Sequence, residues 1–313
     1  MNFSTKITIP KSDAPISHHS KVLLLGSCFT ENIGSKLDFF KFQNLTNPFG
    51  IIFNPVSIEN LVFRALTDDE FSEKDIFYHE GVWKCFAVHS DLNNGNKDEF
   101  LNLLNQTLHD FKNYISSATH FIITLGTAWI YKTVSENNVV ANCHKVPQNQ
   151  FVKELLSILS IENSLRNLMD VVLKNNPNCK FIFTISPVRH IKDGLVENNV
   201  SKAHLTSAVY QLKRANKNYF PSYEILMDEL RDYRFYADDL LHPSKMAVDF
   251  IWQRFKETYF LDETIALCSE IEAIQKALLH RPLSSTSDNH SKFLLHLNEK
   301  ILNFFLRNPH ITF

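Results

Sequence analysis

Glycine is scarce in this chain: seven occur in 313 residues, where average usage near 7% would give roughly twenty. No GxGxxG and no Walker A loop can be written from those seven positions, which excludes the Rossmann dinucleotide and P-loop nucleotide readings. Long apolar runs are lacking as well. No stretch approaches about eighteen apolar residues, so no membrane span is expected. The N-terminal MNFSTKITIPKSDAP has no basic start followed by an apolar run and does not read as a secretory leader. The five cysteines, Cys28, Cys85, Cys143, Cys179 and Cys268, are odd in number, scattered, and free of any CxxC pair. They read as reduced thiols in a cytoplasmic protein. The fourteen histidines form no HExxH and no repeated ligand spacing, so neither a metal nor another cofactor is expected. Charge of one sign is missing too: 32 Lys plus Arg against 34 Asp plus Glu leave a net charge of −2. That balance gives no global field for nucleic acid or an anionic membrane.

What is present is the composition of a folded soluble protein, 44% hydrophobic and 21% charged, long enough for one large α/β domain with appendages or two small ones. Continuous apolar runs at 21–25, 120–125 and 180–185 read as buried strands, and each stops at a turn signal: Gly26-Ser27, Gly126 and Ser186-Pro187. A shorter extended stretch is expected at 49–53 between Pro48 and Pro55, and further strands at 82–89 and 223–227. Helices are predicted from about Thr30 onward and over 57–66, 97–116, 152–173, 201–216 and 246–259. Buried strands separated by helices predict a three-layer α/β/α sandwich with a mainly parallel sheet, of flavodoxin-like type. Functional groups then belong beyond the carboxyl ends of the strands. After Asp262 the pattern is only helical, at 265–279 and 292–305 around a polar loop at 284–289. The expected organisation is a catalytic domain over 1–261 and a helical C-terminal extension over 262–313 packed on it.

Two constellations carry chemistry. Gly26-Ser27-Cys28-Phe29 places a hydroxyl between a strand end and a helix N-terminus, whose free N–H groups can stabilise a developing oxyanion. The plainer reading is that Ser27 only caps the helix. Late in the chain, Asp238-Asp239-Leu240-Leu241-His242-Pro243 precedes another helix. In an Asp-x-x-His turn the carboxylate of Asp239 can hold the ring of His242, which then moves the proton of a nucleophile. The plainer reading here is a loop histidine with solvated aspartates. Nucleophile early and Asp-x-x-His late form a triad order that makes each constellation support the other. Cys28 is the rival nucleophile, but consecutive side chains point apart and a free cysteine is usually a small buried residue.

Gly26-Ser27-Cys28-Phe29-Thr30 closely resembles the motif that names the GSCFA family, with Thr30 where the name has alanine. NPFGIIFNP from Asn47, TLGTAWIY from Thr124, NCHK from Asn142, SPVRH from Ser186 and YFPSYEILMDELRDYRFYADDLLHPS from Tyr219 also resemble it, especially its Bacteroidetes members. The resemblance spans roughly Ile7 to Phe260. It implies the SGNH (GDSL-like) hydrolase fold and a serine nucleophile, with Ser27, Asp239 and His242 as the catalytic set. It further implies an oxyanion hole from the backbone N–H groups of Ser27 and Gly50. The superfamily's third block departs: where an asparagine is usual, Gly126-Thr127-Ala128-Trp129 stands. Thr127, Asn54 and Asn142 are the candidates for the missing donor. His144, Lys145, Arg189 and His190 are candidates for substrate binding, against a reading as surface or loop polar residues. The implied function is an esterase acting on an O-acylated carbohydrate or another small acyl ester through an acyl-serine. Two alternatives stand beside it: an O-acyltransferase using the same triad, and a non-catalytic glycan- or partner-binding protein on the same fold. The implied partner is a small-molecule or glycan ester.

Overall fold

The computed structural model describes residues 4–212, 216–280 and 288–313. In chain order, β1 (Lys21–Gly26) leads into α1 (Cys28–Phe39), β2 (Gln43–Thr46) and α2 (Pro55–Leu66). A hairpin of β3 (Ile76–His79) and β4 (Val82–Cys85) precedes α3 (Lys97–Ser117) and β5 (His120–Leu125). A small antiparallel sheet of β6 (Trp129–Thr133), β7 (Val139–Val140) and β8 (Phe151–Leu155) is followed by α4 (Ile158–Asn175), β9 (Lys180–Ile185) and α5 (Leu195–Gln211). Then come β10 (Lys217–Phe220), a short α6 (Ser222–Glu224), α7 (Lys245–Tyr259), α8 (Asp262–Leu278) and α9 (Asp288–Arg307).

The main sheet has the order β10-β9-β5-β1-β2 and every pair in it is parallel. Helices cover both faces, as a parallel sheet requires. The apolar run of β1 serves both cores, because alternate side chains leave a strand in opposite directions. Leu23 and Leu25 join α2, α3, α4 and α5 in one core, and Val22 and Leu24 join α1 and α7 in the other. Cys268, Ile271 and Ile274 of α8 and Leu297 and Phe304 of α9 are buried in that second core. From β1 the chain moves outward to β2, then returns to lay β5 on the other side. The carboxyl ends of β1 and β5 therefore flank the point where strand order reverses, which is where such sheets open a crevice. Among the described residues no helix is long and apolar enough to cross a membrane.

Several local expectations are corrected. Residues 152–173 are not one helix: β8 pairs with β6 through Tyr131 and Lys153, and Ser157 then caps α4 by accepting from the Ser160 N–H. The strand expected at 223–227 lies earlier, at Lys217–Phe220, paired with β9. Pro221 has no N–H to continue that ladder, and the chain turns into α6 and a π turn over Ile225–Glu229. The helix expected at 201–216 starts at Leu195 and ends at Gln211, and residues 213–215 lie outside those described. Residues 49–53 form no strand: Asn47 (φ 43°) and Gly50 (φ 75°) turn the chain there. β2 went unpredicted because QNLT is a polar edge strand without an apolar run. Of the loop expected at 284–289, residues 284–287 lie outside the described residues.

Candidate active site

The turn after β1 needs glycine. Gly26 has φ +149°, and a Cβ there would meet the Thr124 carbonyl oxygen at 2.3 Å, a contact only glycine escapes. Its N–H donates to Asn47 Oδ1 at 2.9 Å, and Asn47 Nδ2 is hydrogen-bonded to the Glu31 carboxylate. Ser27 follows as the N-cap of α1, its Oγ accepting from the Phe29 N–H at 3.3 Å. It is buried, 1% exposed, and its hydroxyl donates to Ser186 Oγ at 2.9 Å. Capping and chemistry are thus open to the same oxygen. Cys28 begins α1 and is partly buried, and burial pushes its thiol up from the ordinary value despite nearby amides and Lys202.

The Asp-x-x-His turn is a closed loop. The Ala237 N–H donates to the His242 carbonyl at 2.8 Å and the Leu240 N–H to the Ala237 carbonyl at 2.9 Å, with Leu240 at φ 59°. Asp239 Oδ1 accepts from the amides of His242 (3.0 Å) and Leu241 (2.9 Å), and its Oδ2 lies 2.6 Å from His242 Nδ1. Those two amides first, and then the imidazole, hold the carboxyl down at about 2. A carboxylate on Nδ1 fixes the tautomer with the proton there and leaves Nε2 as the basic atom. His242 is exposed.

Ser27 and His242 are not hydrogen-bonded to each other; the serine hydroxyl is turned onto Ser186 instead. One loop reaches both constellations. It leaves β9 at Ser186, which holds Ser27, and three residues on the Arg189 N–H donates to the Leu241 carbonyl at 3.2 Å.

The expected oxyanion donors are engaged elsewhere. The Ser27 N–H donates to the Thr124 carbonyl at 3.1 Å and the Gly50 N–H to the Asn47 carbonyl at 2.8 Å. Gly50 is held at φ +75° with a Cβ position 2.3 Å from His89, so it acts as a turn glycine under close approach. The Thr127 hydroxyl pairs with Ser201 at 2.9 Å and accepts from the Trp129 N–H at 3.0 Å. Asn54 caps α2, bonded twice to Ser57 at 2.8 and 2.9 Å. Asn142 Oδ1 accepts from the His144 N–H at 2.8 Å. None of these three polar side chains is hydrogen-bonded to Ser27.

Of the substrate-binding candidates, His144 is buried, with Nε2 donating to the Cys85 carbonyl at 2.7 Å; burial lowers its pKa. Lys145 is exposed at φ 60°. The His190 N–H donates to Asn198 Oδ1 at 2.9 Å and its ring lies 4.9 Å from Phe53; burial first, then Lys202, brings it down to about 4. These three, together with Thr127, Asn54 and Asn142, line a cleft of about 410 Å³ walled by Phe53, Trp129 and Tyr131; Ser27, Asp239 and His242 are not among its walls. Arg189 stands apart, stacked on Tyr236 at 4.4 Å and donating to its hydroxyl at 2.7 Å. Among the described residues no three His, Cys, Asp or Glu side chains converge to hold a metal ion.

Sequence reasoning missed four side chains here: Asn47, Ser186, Ser201 and Lys202. The first two stood inside segments whose resemblance was noted, so position could have flagged them. Lys202 carries no such signal, since a lysine in the middle of a helix ordinarily reads as solvated.

The sequence profile of the GSCFA family matches residues 21–255. No curated protein matches the chain. Among solved structures, a carbohydrate esterase family 3 protein from Talaromyces cellulolyticus is 11% identical, over 80% of this chain and 99% of that one, with a TM-score of 0.36. An acetyl xylan esterase from the rumen bacterium Butyrivibrio proteoclasticus is 11% identical, over 80% of this chain and 67% of that one, with a TM-score of 0.40.

Proposed function

Because this chain belongs to the GSCFA family, we propose that it is an ester hydrolase working through an acyl-serine at Ser27. The observation that carries this reading is the Asp239–His242 pair, 2.6 Å between Oδ2 and Nδ1, linked to Ser27 through the single loop from Ser186 to Arg189. In the proposed reaction the Ser27 hydroxyl turns from Ser186 to His242 Nε2 and gives up its proton as Oγ attacks the ester carbonyl. Asp239 keeps the tautomer and offsets the charge of the imidazolium. The tetrahedral oxyanion forms beside the N-terminus of α1, where the helix dipole favours negative charge. Collapse expels the alcohol, which takes the proton from His242. Water then attacks the acyl-serine with His242 as base, releasing the acid and restoring the Ser27 hydroxyl. Residues 1–261 would carry this chemistry, with 262–313 as a packed helical extension. An O-acylated carbohydrate or other small acyl ester is the substrate class by superfamily analogy, and transfer to an acceptor hydroxyl would use the same steps.

Two observations favour a second reading, a non-catalytic binding protein: Ser27 is buried with its proton on Ser186, and the Gly50 amide is tied to Asn47. A fluorophosphonate probe separates the two. The wild type should be labelled and Ser27→Ala should not. No labelling of the wild type, with no turnover on a broad ester panel, would leave the binding reading.

A further inference from the structure

Helix α5 turns polar side chains inward. Asn198, Ser201 and Lys202 are all buried. Asn198 accepts the His190 N–H at 2.9 Å. Ser201 Oγ accepts the Ala128 N–H at 2.7 Å and pairs with the Thr127 hydroxyl. Lys202 Nζ donates to the carbonyls of Gly126 at 2.7 Å and Ser186 at 2.8 Å. One helical turn therefore ties down the segments that leave β5 and β9, the two strands whose ends meet Ser27. The lysine is the costly member, since a buried ammonium without a paired acid loses its hydration for two neutral acceptors. No carboxylate forms an ion pair with it among the described residues. A hydrocarbon side chain would fill the space at less cost, so the retained amine points to a role for its charge.

We propose that Lys202 is a positioning residue for Ser27: its ammonium clamps the carbonyl ends of β5 and β9, fixes the Ser186 loop that holds the Ser27 hydroxyl, and supplies positive charge behind the Ser27–Cys28 turn. This rests on the reading of Ser27 as nucleophile. It accounts for a site that lacks the third-block asparagine and whose Thr127 is turned toward Ser201: the charge behind the turn adds to the field of the α1 N-terminus where the oxyanion forms.

Burial brings the Lys202 amine down to about 7. The titratable groups that face it are Cys28 of α1, His190 of the loop after β9 and Tyr223 of α6. Burial raises the pKa of Cys28 and of Tyr223 and holds His190 at about 4, so all three are neutral where Lys202 changes charge. The advantage of the wild type over a variant without that charge, read as the fluorophosphonate labelling rate, should therefore shrink as pH rises through that value.

The test is this labelling rate at about pH 6 and about pH 9, for the wild type, Lys202→Gln and Lys202→Met, with circular dichroism confirming the fold. Gln keeps a donor for the carbonyls and removes the charge; Met removes both. Both variants should be slower than the wild type by about tenfold or more at the lower pH, with the deficit shrinking at the higher one. A purely structural role would leave the deficit independent of pH. If Met prevents folding, the ratio of Lys202→Gln to wild type at the two pH values decides. Labelling of Lys202→Gln as fast as wild type at the lower pH, or a deficit that does not shrink at the higher one, overturns the role of Lys202. A wild type that is never labelled brings down the Ser27 assignment first, and this proposal with it.

Discussion

The hydroxyl of Ser27 donates to that of Ser186 across 2.9 Å, joining the turn after β1 to the turn after β9 over the end of β5, the strand that separates them. Ser186 also accepts from the Val188 N–H at 3.3 Å, so its own proton is free to point elsewhere. In the proposed reaction the bond reverses. As Ser27 passes its proton to His242, Ser186 becomes the donor and holds the Ser27 oxygen in place for the attack.

Ser186→Ala should therefore lower kcat/KM by about tenfold, one neutral hydrogen bond's worth of transition-state stabilisation, with KM nearly unchanged. Steady-state kinetics on a chromogenic acetyl ester would read it. An unchanged or higher kcat would make the Ser27–Ser186 bond a mere resting place.

Mutations in the proposed triad should have unequal effects. Ser27→Ala and His242→Ala remove the nucleophile and the base, and in subtilisin such losses reach about a millionfold, against about ten-thousandfold for the aspartate. Asp239→Ala should follow that order and retain the most activity, measured as kcat/KM for the three variants beside the wild type. Equal losses for all three would point to collapse of the Ala237–His242 loop rather than to chemistry.

The pH dependence separates Asp239 from its partner. Its folded pKa of about 2 lies below the unfolded value of about 3.9. The carboxylate's contribution is thus fully present above the unfolded value and is lost as pH falls through the folded one. An acid loss of activity beginning well above about pH 4 then has a source other than this carboxyl. The kcat/KM profile checks this, and Asp239→Asn should lose the activity without creating a new acid limb.

Gly26→Ala should destabilise the fold by about 2–4 kcal/mol, because a Cβ meets the Thr124 carbonyl at 2.3 Å in a backbone conformation that L residues avoid. Gly81→Ala is the control. It shares a positive φ of +83° but has nothing within 4 Å, so only the backbone strain of about 1–2 kcal/mol remains. Urea unfolding midpoints should rank the two in that order.

What the sequence made legible was local. β1, β5 and β9 are largely apolar runs, and a strand that stops at Gly-Ser or an aspartate three residues before a histidine can be seen without knowing the fold. The rest depended on distant partners. Nothing in the order of residues says that the Gly50 amide turns back to Asn47, or that Thr127 faces Ser201 on a helix more than seventy residues later. Lys202 carried no signal because its two acceptors, the carbonyls of Gly126 and Ser186, are brought to it only by the packing of α5 on the ends of β5 and β9. The 152–173 segment misled for a related reason. The mostly exposed residues of β8 are held by pairing with β6, and pairing leaves no mark on a helix-period pattern.

The raised thiol of Cys28 has a consequence for chemoselectivity. Alkylating agents and peroxide attack the thiolate, and a thiol held protonated near neutrality offers them little of it. Two nucleophilic atoms one residue apart are thus told apart by charge state: a haloacetamide should pass Cys28 by at neutral pH, leaving its neighbour to the phosphorus electrophile, and oxidative stress should reach this corner of the molecule slowly.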